Sequence, residues 1–299
     1  MRLVPASLFS IEWLTDIYNR ARVDYLVPMG MRAEEMAGYI HVYDVALDAS
    51  VVAMVGEQAV GLGMLGLRPG RAWITRLGVR PDYRGRGIGE AIVGHLLATA
   101  GRRGVERIVL EVVRENVAAH RLFVKWGFRE TRELIVFRRP PGPPSSAPPA
   151  RCVWVDREAA LRLSRTRPAP ISWVNETASL AHAAGLGGLI VVLPDGGRGW
   201  LVFQRQGDVL ARLTFRTTAG DPPAVGRALL AHLHQAYPTA ESHVENVAAA
   251  NPHLPALYAL GFVESFRRIE MYRHCTGGKV RPVPSRRFES DRATNRSGL

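Results

Sequence analysis

A glycine- and arginine-rich segment, Arg84-Gly-Arg-Gly-Ile-Gly89, has residue types suited to phosphate binding. It follows a β-forming run and precedes Glu90 to Thr99, where apolar residues recur at helical spacing. Glycines let the backbone approach a ligand closely and turn several N–H groups toward it. The following helix would add the positive end of its dipole, and the two arginines would add charge-assisted hydrogen bonds. The segment predicts a pyrophosphate site; the alternative is a tight turn between a strand and a helix.

Glu111 is the candidate general base in this sequence. Glu111 lies in the β-forming run Arg107 to Val113, five residues before Asn116. A carboxylate at such a place can remove a proton from an amine, directly or through water. The alternatives are a solvated strand carboxylate and an ion-pair partner for one of the many arginines.

The first 139 residues have the pattern of a mixed α/β unit in the order α-α-β-β-β-α-β-α-β. The predicted helices are Glu12 to Ala21, Ala33 to Val42, Glu90 to Thr99 and about Val117 to Lys125. The predicted strands are Val51 to Val55, Ala59 to Leu67, Ala72 to Val79, Arg107 to Val113 and about Glu133 to Phe137. This order places the glycine segment between the third strand and the third helix.

Residues 140–150 contain six prolines, so we expect an extended linker there. The linker separates residues 1–139 from residues 151–275. Residues 276–299 are rich in Arg, Ser, Thr and Pro, which predicts a disordered basic tail.

The part after the linker repeats features of the first part. Glu115-Asn-Val-Ala-Ala119 recurs as Glu245-Asn-Val-Ala-Ala249, and the apolar helix pattern that begins at Gly89 recurs at Gly226. These matches keep their order, which predicts a tandem repeat of one fold.

The motifs in residues 73–128 resemble those of the GCN5-related N-acetyltransferase (GNAT) superfamily. The segment from Val79 to Gly89 matches its Arg/Gln-x-x-Gly-x-Gly/Ala signature, and the further matches are Leu110-Glu-Val112, Asn116, Leu122-Phe123 and Gly127-Phe128. The resemblance implies an α/β (α+β) fold of two tandem GNAT-like domains, each a mixed, mostly antiparallel sheet flanked by helices. It also implies transfer of an acetyl group from acetyl-CoA to a primary amine of a small molecule or peptide.

The resemblance assigns roles to matching positions. The cofactor-binding residues it implies are Leu77, Gly78, Val79, Arg84, Gly85, Arg86, Gly87, Ile88, Gly89, Asn116, Phe123 and Lys125. It implies an acceptor pocket beside the loop between the first two helices, lined by Tyr25, Met29 and Met31. The alternatives are an N-cap role for Asn116, a merely solvated Lys125 and a core-facing loop.

The chain departs from the family pattern where catalysis is concerned. Thr75 stands about where many members carry a strand carboxylate, and Phe123 replaces the usual tyrosine acid; neither side chain can do that chemistry. Glu111 matches the base of members that acetylate ribosomal-protein N-termini. We therefore expect Glu111 to act as the base and the backbone N–H of Val79 to polarise the thioester.

The second copy has lost the phosphate-binding chemistry. The glycine segment is replaced by Asp221-Pro-Pro-Ala-Val-Gly226. The prolines lack amide donors, and the aspartate places a negative charge where phosphate would sit. We expect this degenerate copy to close the acceptor cleft or to form an interface.

The amino-acid composition indicates which broad class of protein this is. An apolar content of 47% with 22% charged residues indicates a soluble globular protein, and no apolar run reaches membrane-spanning length. Glu12 and Asp16 interrupt any signal-peptide pattern. Cys152 and Cys275 belong to no paired motif, so we expect neither disulfide nor metal, and a cytoplasmic location.

Two other functions stay open. The missing acid and strand carboxylate favour a non-catalytic acyl-CoA sensor. The net charge of +12 is compatible with nucleic-acid binding through the basic tail. The rest of the chain has neither a basic helix nor a group of aromatic residues on which bases could stack.

Overall fold

The computed structural model describes residues 1–144 and 146–275, so the predicted tail lies outside the described residues. The strands are β1 (Arg2–Pro5), β2 (Val51–Val55), β3 (Gln58–Arg68), β4 (Arg71–Val79), β5 (Arg107–Val113), β6 (Arg129–Arg139), β7 (Arg151–Val155), β8 (Leu186–Val192), β9 (Arg198–Gln206), β10 (Val209–Ala219), β11 (Glu241–Ala248) and β12 (Val263–His274). The α-helices are α1 (Ile11–Arg20), α2 (Ala33–Val42), α3 (Ile88–Arg102), α4 (Val117–Lys125), α5 (Arg157–Ser164), α6 (Thr177–His182), α7 (Pro222–Ala236) and α8 (Leu254–Ala259). None of these helices is both long and apolar enough to cross a membrane.

The strands form one twelve-stranded sheet in the order β1-β2-β3-β4-β5-β12-β6-β11-β10-β9-β8-β7. The pairs β4–β5 and β10–β11 are parallel, and the other pairs are antiparallel. Each half of the chain therefore contributes a mostly antiparallel sheet with one parallel pair, and the tandem α/β fold class is confirmed.

The last strands of the two halves cross at the centre of the sheet. β12, from the second half, pairs with β5 of the first, while β6, from the first half, pairs with β11 of the second. β6 and β12 also pair with each other along their length. Because of this crossing, residues of the second half lie directly beside β5, where Glu111 is located.

Both faces of the first half of the sheet are covered. Val51 and Ala53 pack toward α3, whereas Val52 and Met54 pack with α1 and α2 on the other face. Successive residues of a strand point to opposite faces, so burial on both sides explains why these strands are continuously apolar.

A stacked pair of tryptophans also joins the two halves. Trp173, of the second half, stacks on Trp73 with ring centroids 5.9 Å apart, and its Nε1 donates to Tyr43 O at 3.0 Å. Arg68 lies 4.1 Å from the Trp173 ring and pairs with Glu176 at 2.8 Å. These contacts fix the second half against the wall of the first.

The predicted elements of the first half occur in the predicted order, preceded by β1, which the sequence analysis missed. α3 begins at Ile88, two residues before the predicted start, because Gly87 takes the N-cap position. The pentapeptide repeat does not correspond in structure: Asn116 caps α4, whereas Glu245 to Ala248 continue β11.

Candidate active site

The glycine segment turns from β4 into α3 with its amides unpaired. Gly85 and Gly87 have φ of 74° and 76°, and an added Cβ at either would meet open space, so the backbone conformation itself requires glycine. From Gly85 to Glu90, no amide donates to an acceptor in the described part of the chain. Six N–H groups and a helix N-terminus thus meet at one place, an arrangement that binds anions.

A groove of about 690 Å³ runs beside this loop. It opens because β4 and β5 pair only from Arg71–Arg107 to Ile74–Leu110 and then diverge. Arg80 N donates to Val60 O in β3, so alternation along the strand points the N–H groups of Leu77 and Val79 away from β3 and toward the groove. These N–H groups are the ones that could pair with an extended ligand arm.

The charged side chains near the loop are engaged within the protein. The Arg84 guanidinium pairs with Asp24 at 2.7 Å and donates to Val79 O at 3.0 Å. Arg86 donates to Asp82 O at 2.9 Å, and Lys125 Nζ donates to Glu90 Oε2 at 2.8 Å. Arg84, with Gly85, Gly87, Ile88 and Gly89, lines the groove, as do Leu77, Gly78 and Val79, whereas neither Arg86 nor Lys125 does so in the described structure.

Asn116 stands where the groove meets a second cavity. Its Oδ1 accepts from Ala119 N at 3.1 Å, so it is the N-cap of α4, and its Nδ2 donates to Tyr25 OH at 3.3 Å. Phe123 is buried against Phe128 and lines this second cavity rather than the groove. The two spaces share Arg22, Tyr25, Leu77, Asn116 and Ala119, so a molecule in one can reach a molecule in the other.

The second cavity, of about 300 Å³, lies between the two halves of the chain. Tyr25 and Met29 line it, as the sequence predicts for an acceptor pocket. Met31 instead packs in the core between α1 and α2, where its backbone N–H and C=O bond to Asn19. The opposite wall comes from the second half, with Val174, Gln204, Gln206, Ala211, Arg212, His243, Glu245 and Arg268.

Glu111 projects into this cavity from β5. Trp73 Nε1 donates to its Oε2 at 2.6 Å, and Asn246 Nδ2 donates to its Oε1 at 3.2 Å. Burial raises the pKa of Glu111 to about 7, although the charge of Arg268 and the bond from Trp73 act in the opposite direction. A carboxyl group with this pKa exchanges protons near neutral pH, as a general base must.

A second carboxylate of the cavity stays ionised. Burial acts to raise the pKa of Glu245, but the charge of Arg268 and its hydrogen bond outweigh this and hold the pKa below its usual value. Arg268 Nη1 lies 2.8 Å from Glu245 Oε2 and 2.7 Å from Asn246 Oδ1. The two carboxylates therefore differ in protonation, and Glu111 is the one able to accept a proton.

The residues of the second half that surround Glu111 are not predicted by the sequence. Asn246 on β11 and Arg268 on β12 lie beside it because β6 and β12 cross between the halves at the centre of the sheet. Asn246 does belong to the repeated pentapeptide, which pointed to it only as a counterpart of Asn116. No local pattern places either residue beside a carboxylate in another half of the chain.

The second half has its own groove, and its helix N-terminus is already satisfied. Asp221 caps α7, and its Oδ2 accepts from Ala224 N at 2.9 Å. Pro222 and Pro223 occupy the first helical positions and have no N–H to offer. In this groove, of about 360 Å³, Phe215 packs edge-on against His253 with ring centroids 4.9 Å apart.

Sequence comparisons connect the first half with known acetyltransferases. Residues 11–128 match the model of the acetyltransferase (GNAT) family. The chain is 26% identical over 129 residues to the uncharacterized N-acetyltransferase YobR of Bacillus subtilis, covering 42% of this chain and 52% of that protein. It is 39% identical over 59 residues to the ribosomal protein bS18-alanine N-acetyltransferase of Escherichia coli, covering 20% and 40%. The chain thus spans about half or less of the length of these relatives.

The whole fold also has a counterpart among solved structures. A tandem GNAT protein from the clavulanic acid biosynthesis pathway aligns with a TM-score of 0.63 at 16% identity, covering 93% of this chain and 98% of that one. At this identity the likeness establishes the fold alone: two GNAT-like halves in one chain.

Proposed function

Because residues 11–128 belong to the acetyltransferase (GNAT) family, we propose that the chain is an N-acetyltransferase that moves the acetyl group of acetyl-CoA directly to a primary amine. The observation that carries this proposal is the meeting of the groove and the cavity at Asn116 and Leu77. A thioester that lies in the groove and an amine in the cavity would meet there, within reach of Glu111. Holding both reactants in one place supplies much of the acceleration of a bimolecular reaction.

In this proposal the pyrophosphate of acetyl-CoA binds the amides from Gly85 to Glu90. The pantetheine arm pairs with the N–H group of Leu77, which faces the groove and leaves the N–H of Val79 for the thioester carbonyl. Arg84 would exchange part of its bond to Asp24 for a phosphate oxygen, since both groups line the groove. The surfaces of Asn116 and Phe123 direct the thioester toward the cavity.

The reaction needs one proton acceptor and a polarised carbonyl. The amine enters in its neutral form; its nitrogen bonds to the thioester carbon as Glu111 removes one of its protons, the carbon–sulfur bond breaks, and Glu111 then releases that proton to solvent. The N–H of Val79 stabilises the negative charge that develops on the carbonyl oxygen. The leaving thiolate, whose thiol has a pKa of about 8.5, takes its proton from water, so the phenylalanine at position 123 does not prevent turnover.

We also propose that residues 151–275, after the linker at 140–150, form a degenerate copy that binds no CoA. Its helix N-terminus is capped by Asp221 and lacks two amide donors, which supports this role. Its contribution would be one wall of the acceptor cavity together with the residues that set the pKa of Glu111. One active site per chain follows from this arrangement.

A transfer assay tests the proposal. Purified protein is incubated with acetyl-CoA and a panel of amines, and both free CoA thiol and acetylated amine are measured. Equal amounts of the two products, dependent on protein and amine, are expected. Hydrolysis of acetyl-CoA without an acetylated product would contradict direct transfer.

A non-catalytic acyl-CoA sensor is the second candidate, favoured by Phe123 and by Thr75, whose hydroxyl is hydrogen-bonded to the half-buried Tyr39. It predicts saturable acetyl-CoA binding without turnover and with no effect of Glu111→Gln. Turnover with any member of the panel excludes it.

A further inference from the structure

The cavity beside Glu111 carries an excess of positive charge. Four arginines line it: Arg22 after α1, Arg76 in β4, Arg212 in β10 and Arg268 in β12. Only Arg268 has a carboxylate within 4 Å in the described structure, namely Glu245. A guanidinium remains charged at any accessible pH, so Arg22, Arg76 and Arg212 face the cavity as cations without an ion-pair partner among residues 1–144 and 146–275.

Tyrosine rings hold these three cations in place. Arg22 lies 4.2 Å from the Tyr25 ring centroid, and Arg76 lies 3.9 Å from that of Tyr39. The guanidinium of Arg212 lies over the Tyr43 ring and donates to the Tyr43 hydroxyl at 2.8 Å. Aromatic faces orient a cation and attract it weakly, but they do not cancel its charge.

Two of these arginines occupy equivalent and unusual backbone positions. Arg76 and Arg212 lie at β-bulges in β4 and β10, with φ of 49° and 53°. Left-handed backbone is unfavourable for a residue with a Cβ, and bulges redirect side chains, often near active sites. The Nη2 of each arginine donates to no acceptor in the described part of the chain.

These observations indicate a site for a further anion beside Arg76 and Arg212, in addition to Glu245, which pairs with Arg268. We infer that the acceptor is a small amine that also carries an anionic group, a carboxylate or a phosphate, which binds Arg76 and Arg212 while the amino group faces Glu111. This inference rests on the proposed function and names its substrate class. Guanidinium groups bind both anions through paired hydrogen bonds.

The size and the positive charge of the cavity argue against two other kinds of acceptor, a folded protein segment and a polyamine. A volume of about 300 Å³ suits a small molecule and cannot enclose a folded protein segment. A polyamine would bring further positive charge into a cavity that Arg22, Arg76 and Arg212 already make positive. Like charges that are close together repel strongly where little water screens them. An amino acid or an amino phosphonate satisfies both limits.

The test compares amines that differ only in the anion. L-alanine and L-glutamate are measured beside L-alaninamide and L-glutamine amide, with 2-aminoethylphosphonate as an analogue of an amine that carries a phosphate and spermidine as the polycation. Binding is measured by calorimetry, and acetyl transfer is measured by the release of CoA thiol. At least one anionic amine is expected to bind and to exceed its uncharged counterpart in kcat/KM by roughly 10–100-fold, the effect of one or two charge-assisted hydrogen bonds.

Arg212→Gln provides the matched variant. It should raise the KM for the anionic amine by roughly 10–100-fold while leaving the Kd for acetyl-CoA unchanged. Arg103→Gln removes the same charge from an exposed pair with Asp48 and should change neither value. If Arg212→Gln does not fold, Arg212→Lys, which keeps the charge but loses the planar fork, should give a smaller rise in KM.

The outcomes separate this inference from the proposed function. Anionic amines that bind through Arg212 without being acetylated would support the inference and contradict the enzymatic proposal. Transfer to uncharged amines with equal kcat/KM, or selectivity unaffected by Arg212→Gln, would overturn the inference and leave the enzyme standing. Failure of every anionic amine to bind would overturn it as well.

Discussion

Asn246, in the second half of the chain, donates a hydrogen bond from its side-chain amide to Oε1 of Glu111 in the first half, across 3.2 Å. Trp73 donates to the other carboxylate oxygen. The proposed base is therefore oriented by one donor from each half. In the proposed mechanism, the second half therefore contributes to catalysis through Asn246, although the N-terminus of its helix α7 is capped by Asp221.

Replacing Glu111 by glutamine should lower kcat/KM by about 10²–10⁴-fold, the usual contribution of a general base. Because the pKa of Glu111 is about 7, the wild-type kcat/KM should rise with pH through that value as the carboxylate forms. The rising limb should be absent in the variant. A pH–rate profile of both proteins decides this, and an unchanged limb in Glu111→Gln would assign it to another group.

Asn246 should act as a positioning residue. Asn246→Gly removes the donor yet tolerates the φ of 56° at this position. Loss of a hydrogen bond to the charged form raises a carboxyl pKa, so the rising limb of kcat/KM should move above pH 7. Activity should fall several-fold at pH 7 and recover at high pH. An equal loss at every pH would mean that the variant disturbs packing rather than the titration of Glu111.

Glu111 should also make stability depend on pH. Its pKa is about 7 in the folded chain, above the usual value of 4.5 for a glutamate, so the folded state holds the proton more tightly. The resulting stabilisation is present below pH 4.5 and is lost as the pH rises through about 7. Between pH 5 and pH 8 the wild-type free energy of unfolding should fall by roughly 2–3 kcal/mol relative to Glu111→Gln. Urea denaturation at both pH values measures this, and a pH-independent difference between the two proteins would contradict the buried carboxyl.

The glycine loop can be tested with a closely matched pair of variants. Gly87 and Gly104 lie at opposite ends of α3, have φ of 76° and 70°, and have open space where a Cβ would go. Alanine at either should cost a similar 1–2 kcal/mol, as a rough figure, from the left-handed backbone. Only Gly87→Ala should weaken acetyl-CoA binding, because Gly87 belongs to the segment from Gly85 to Glu90 whose amides would bind the pyrophosphate, whereas Gly104 lies at the other end of α3. Equal affinities of the two variants would place the cofactor elsewhere.

Local features were predictable from the sequence because their causes are local. α2, β2, β5 and α4 have the predicted bounds, since apolar periodicity and the N-cap at Asn116 define them. The start of α3 was misplaced because Gly87 caps the helix with left-handed backbone. The place of the glycine loop between β4 and α3, and that of Glu111 in β5, were likewise predictable from residue type and order.

The surroundings of Glu111 were not predictable, because they depend on contacts between distant parts of the chain. Asn246 is 135 residues away from Glu111 in sequence and meets it only because β12 and β6 cross between the halves. The repeated pentapeptide even suggested the wrong counterpart for Asn116. The bulges that turn Arg76 and Arg212 toward the cavity have no sequence signature, since arginine is an unusual choice for left-handed backbone.

Calorimetric titration of the wild-type protein with acetyl-CoA is the most direct test of the proposed single cofactor site at the glycine loop. The unpaired amides of the first half and the capped helix of the second predict saturable binding of one acetyl-CoA per chain, strongly weakened by Gly87→Ala. Absence of saturable binding by folded protein, or binding of two acetyl-CoA molecules per chain, would contradict the account.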